Sequence, residues 1–87
     1  MAGSVIASGL ELPEEVVLNV PLVSIRGGES VTIENYKRLL GFSSEEAEIL
    51  TKIGRLSVKG EGLYLEYMKK DIIKIKGKIY QVVTGAF

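Results

Sequence analysis

Cysteine and histidine are both absent from these 87 residues. Without cysteine, disulfides and thiolate zinc sites are impossible. Without histidine, imidazole acid–base catalysis is impossible as well. Net charge is missing too, because eleven basic residues cancel eleven acidic ones. A neutral chain argues against nucleic-acid binding, which normally shows a basic excess or stripe. It also weakens colloidal repulsion, so self-association becomes easier. No apolar run approaches the ~18 residues of a membrane span. Met1 to Leu10 is mildly apolar but carries no basic region of the secretory kind. The expectation is a soluble, intracellular chain.

What is present is alternation. From Gly54 to Gly77 apolar residues recur at every second position: Leu56 and Val58, Leu63 and Leu65, Ile73 and Ile75. Glycines punctuate the seams. Period two with glycine punctuation means short, half-buried strands joined by tight turns. The spacing predicts strands at 55–59, 63–68, 72–76 and 78–84. Upstream, Ser30 to Asn35 reads as a clean strand, with Tyr36 to Phe42 following a bend at Asn35. Gly27-Gly28-Glu29 is a hairpin turn signal. Val16 to Arg26 is strand-like but interrupted by Pro21, which predicts an edge strand or a bend. Residues 1–11 read as a loose lead-in, and Pro13-Glu14-Glu15 suits at most one helical turn. Residues 44–53 fit a short capped helix as well as a strand over 47–51; the close spacing of the flanking strands favours strand. The fold class is therefore all-β: one small domain over 12–87, built as a meander, a roll or a short β-solenoid. No cofactor is implied.

Each chemical motif has a plainer explanation beside it. Gly60-Glu61-Gly62 lacks the third glycine and the helix of a dinucleotide loop, so Gly54, Gly60, Gly62 and Gly77 read as turn residues. Glu45, Glu46, Glu48, Glu61, Glu66 and Asp71 show no pairing in an apolar setting, so they read as solvated surface. Lys74, Lys76 and Lys78 share one strand face beside Lys69 and Lys70. That stripe could meet acidic lipid headgroups or an acidic partner, although lysines also protect exposed sheets. Tyr64 and Tyr67 have opposite parity on one strand, so one of them should point outward. The tail from Ile79 to Phe87 is apolar at both parities, as in a strand covered by a partner. The candidate interface is accordingly Tyr64, Tyr67, Tyr80, Val82 and Phe87.

Several segments together resemble a family. They are Leu12-Pro13, Val20-Pro21, Ile33-Glu34-Asn35-Tyr36-Lys37, Phe42-Ser43, Gly54-x-Leu56-x-Val58-x-Gly60 and Leu63-x-Leu65. Over residues 12–80 the chain is similar to the YabP/YqfC family of small sporulation proteins of endospore-forming Firmicutes. Glu34, Asn35, Tyr36 and Lys37 are the most specific part of the resemblance. Arg38 and Gly41 depart from the family pattern. The resemblance implies a non-enzymatic role in spore morphogenesis in the mother cell, at or near the forespore membrane, beside membrane-bound sporulation proteins. Combined with the alternation, it suggests a structural or adaptor module that assembles through β-surfaces, either with itself as a homo-oligomer or with a membrane-bound sporulation partner. A lipid-surface or small-ligand module using the Lys69–Lys78 stripe is the rival. No nucleic-acid partner is expected.

Overall fold

A computed structural model describes residues 20–86; the expected lead-in, the Pro13 turn and Phe87 lie outside them. Six strands form one antiparallel sheet: β1 (Leu22–Arg26), β2 (Ser30–Glu34), β3 (Tyr36–Phe42), β4 (Glu46–Thr51), β5 (Gly54–Met68) and β6 (Ile72–Ala86). Their spatial order is β1-β2-β6-β5-β4-β3. The all-β expectation holds, and the arrangement is a folded antiparallel sheet rather than a solenoid. Four consecutive strands meander from β6 back to β3, and the β1–β2 hairpin adds to the far side of β6.

The region 44–53 resolves in favour of strand. Ser43 does cap, but it caps a turn: its hydroxyl accepts from the backbone N–H groups of Glu45 and Glu46. From Glu46 onward burial alternates with period two. That pattern buries Ala47, Ile49 and Thr51 together, which a helix could not do.

The four strands expected between 55 and 84 merge into two long ones. Gly60 and Gly77 do not reverse the chain; they bend it. A methyl group on Gly60 would meet the Lys78 carbonyl oxygen at 2.0 Å. One on Gly77, whose φ is +139°, would meet the Gly62 carbonyl oxygen at 2.7 Å. Backbone can approach backbone so closely only where no side chain intervenes. The ladder between β5 and β6 shifts register on both sides of this point, between Lys59 and Gly60 and between Glu61 and Tyr64. Such bulges bend and twist both strands.

Bending at the middle folds the sheet into two layers. One holds β1, β2, residues 72–76 of β6 and residues 64–68 of β5. The other holds β3, β4, residues 54–60 of β5 and residues 78–86 of β6. Their facing sides form one core in which Val31, Ile33, Ala47, Ile49, Val58, Ile73 and Ile75 are fully buried. Each large aliphatic side chain removed from water contributes about 1.5–3 kcal/mol. The buried Thr51 hydroxyl is satisfied, donating to the Gly54 carbonyl at 2.8 Å. Around the bend the backbone is also paired: Gly60 N–H donates to the Glu45 carbonyl, and Ile79 N–H to that of Gly28.

Candidate functional site

The segment Glu34-Asn35-Tyr36-Lys37 occupies the corner where the chain leaves one layer for the other. β2 and β3 lie at widely separated positions in the sheet order, yet one residue joins them. That residue is Asn35, with φ of 64°. Asparagine tolerates this left-handed geometry better than most residues because its short side chain bonds locally. The Asn35 amide group donates to the Val20 carbonyl at 3.1 Å. Its backbone N–H donates to the Asp71 carbonyl at 2.7 Å. The next residue, Tyr36, is buried, and its hydroxyl reaches the Lys69 carbonyl at 2.5 Å. Two side chains thus pin the start of β1 and the β5–β6 turn to one corner. A cleft of about 440 Å³ opens there, lined by Asn35, Tyr36, Lys37, Lys52 and Asp71.

A second surface lies on the outer side of the first layer. Two rows cross its four strands: Arg26, Ser30, Lys76 and Tyr64, then Ser24, Thr32, Lys74 and Tyr67. The opposite parity expected of Tyr64 and Tyr67 is overturned. A bulge between Leu65 and Tyr67 spends one extra residue, so Leu65 and Met68 align with the inward Ile75 and Ile73 while both tyrosines align with lysines. Glu66 shares that outer face and pairs with Lys74 at 3.5 Å. The Lys69 ammonium lies 5.2 Å from the Tyr67 ring centroid, a cation–π contact. Tyr64 is more than half exposed, whereas Tyr67 is half-buried. Lys78 lies beyond the Gly77 bend, opposite Glu61.

The other expected interface residues are placed apart. Tyr80 is 63% exposed, and its hydroxyl donates to a Glu61 carboxylate oxygen at 2.6 Å. That bond to an anion, ahead of slight desolvation and Coulombic repulsion, raises the Tyr80 pKa above the ordinary 10.0. Val82 is half-buried against the core, opposite Val58. Among the described residues no three carboxylates gather to hold a metal ion. No helix among them is long and apolar enough to cross a membrane.

Comparison with known proteins adds sequence kinship. Residues 19–84 match the YabP family. The chain is 29% identical over 70 residues to the uncharacterized protein YqfC of Bacillus subtilis (strain 168), covering 80% of this chain and 75% of that protein. It is 32% identical over 63 residues to the spore protein YabP of the same organism, covering 70% of this chain and 63% of that protein. The chain thus spans slightly less than two thirds of that spore protein.

Proposed function

This chain belongs to the YabP family, and on that premise we infer that it is a non-enzymatic structural or adaptor protein of endospore formation, assembling through its β-sheet surfaces. The sporulation role is supported by its kinship to a spore protein. A non-enzymatic role is supported by the lack of cysteine and histidine in the sequence. The observation that carries assembly is the pair of end strands, β1 and β3. Among the described residues each pairs on one side only, through β2 and β4 respectively. Both expose apolar side chains: Leu22 and Ile25 on β1, Leu40 and Phe42 on β3. Such edges are templates for another strand, from a second copy or from a membrane-bound sporulation partner in the mother cell. Light scattering coupled to size exclusion tests this. The expected result is a mass above the monomer that rises with protein concentration. A clean monomer at high micromolar concentration refutes self-assembly.

The bulge favours a second reading, in which the face bearing Tyr64, Tyr67, Lys74 and Lys76 meets an anionic lipid surface. Co-sedimentation with anionic vesicles distinguishes the two. Binding that disappears when Lys74 and Lys76 become glutamine selects the lipid reading.

A further inference from the structure

Neutrality in this chain conceals a division of charge. All eleven lysines and arginines lie at Arg26 or later. Residues 1–25 hold three glutamates, Glu11, Glu14 and Glu15, and no cation. The remainder sets eleven cations against eight carboxylates. The chain is therefore −3 before Arg26 and +3 from Arg26 onward.

The structure shows where the acidic part enters. The Val20 carbonyl is held by the Asn35 side chain at 3.1 Å. Asn35 is also a wall of the corner cleft, whose other walls include the lysines at 37 and 52. Tyr36 fastens the turn carrying Lys69 and Lys70 beside it. Glu15 precedes Val20 by five residues, a reach of up to about 17 Å in extended chain. Both glutamates at 14 and 15 can therefore reach the lysines lining the cleft. The same stretch supplies apolar side chains at Leu10, Leu12, Val16, Val17 and Leu18.

We propose that the acidic segment 10–18 of this chain docks in the cleft formed by Asn35, Tyr36, Lys37, Lys52 and Asp71, with its glutamates facing Lys37 and Lys52. The segment then covers the seam between the two layers. Asp71 sets a counter-charge in the same cleft. It repels carboxylates and steers them toward the lysine side.

Zero-length carbodiimide coupling of the full chain, followed by peptide mass spectrometry, tests this. A 1:1 mixture of isotopically light and heavy protein separates links within a chain from links between chains. The expected products join Glu14 or Glu15 to Lys37 or Lys52 within one chain. Their yield should fall several-fold between 0.01 M and 1 M salt, as the screening length contracts from about 30 Å to about 3 Å. Equal links to the distant Lys59 and Lys78, or no links, overturn the proposal. Links to Lys37 and Lys52 between chains also overturn it, and assign the segment to a second copy. A second measurement uses amide hydrogen exchange in the Glu14→Lys, Glu15→Lys variant, which leaves every core residue unchanged. Exchange at Asn35 and Lys37 should accelerate at least ~5-fold. Unchanged exchange there overturns the proposal.

Discussion

Replacing Gly60 with alanine should unfold the protein far more easily than its chemistry suggests. Gly60 has no positive φ, so the backbone conformation itself admits alanine. The obstacle is space: the new methyl would lie 2.0 Å from the Lys78 carbonyl oxygen. Ordinary carbon–oxygen contacts begin near 3.3 Å, so the two strands must part by about 1.3 Å. That displacement strains the β5–β6 ladder and the Gly60 N–H bond to the Glu45 carbonyl. Overpacking costs about 1–3 kcal/mol, and each lost backbone bond about 1 kcal/mol more. Alanine recovers about 0.5–1 kcal/mol by restricting the unfolded chain. The net cost is about 2–3 kcal/mol, or a melting temperature lowered by about 10–20 °C for a domain of this size. Gly62→Ala is the control. Its φ is +63°, but nothing lies within 4 Å of the added methyl. It should lose only about 1 kcal/mol, the left-handed penalty less the same entropic gain. Urea titrations of both variants, with equal m-values, supply the comparison. If Gly60→Ala costs no more than Gly62→Ala, the close approach at the bend is not what requires glycine.

Two further outcomes follow from the hydroxyl contacts. Tyr36→Phe removes the bond to the Lys69 carbonyl at the corner and should cost about 1 kcal/mol in urea unfolding; faster amide exchange at Ile72 and Asp71 would localise the loss. Tyr80 should ionise above the ordinary tyrosine range, because its proton is shared with the Glu61 carboxylate. A folded-state pKa raised in this way makes the contact favourable below pH 10, and the contribution is lost as pH rises through the higher folded value. The Tyr80 ring carbon shift followed by NMR should show the late titration, and Glu61→Gln should return it to the ordinary value.

The strands were legible in the sequence where one face is buried and the other is wet. Val31 and Ile33, Leu56 and Val58, Ile73 and Ile75 all read correctly because period two survives along each short run. The bend at Asn35 was legible as well, since asparagine between two strand-like runs marks a left-handed corner. Other features had no local signal. Gly60 and Gly77 looked like turns because a glycine that reverses the chain and a glycine that lets two backbones touch are the same letter. The outward placement of both Tyr64 and Tyr67 depends on a bulge, and a bulge is a relation between two strands. The cleft at the corner joins residues 35–37, 52 and 71, which come together only once the sheet has folded over.

The sheet order also sets a timetable for synthesis. β2 pairs with residues 72–76 of β6, so the first hairpin gains its second neighbour only when the last strand has been made. Until then the nascent chain can build the β3–β4–β5 meander, while β2 holds an open edge containing Val31 and Ile33. Insertion of β6 between β2 and β5 closes that edge and completes the core in one step. Such late, long-range closure makes folding slow and leaves the unfinished chain open to pairing with its neighbours. A ribosome-bound chain lacking β6 would therefore present the strand that the finished protein hides.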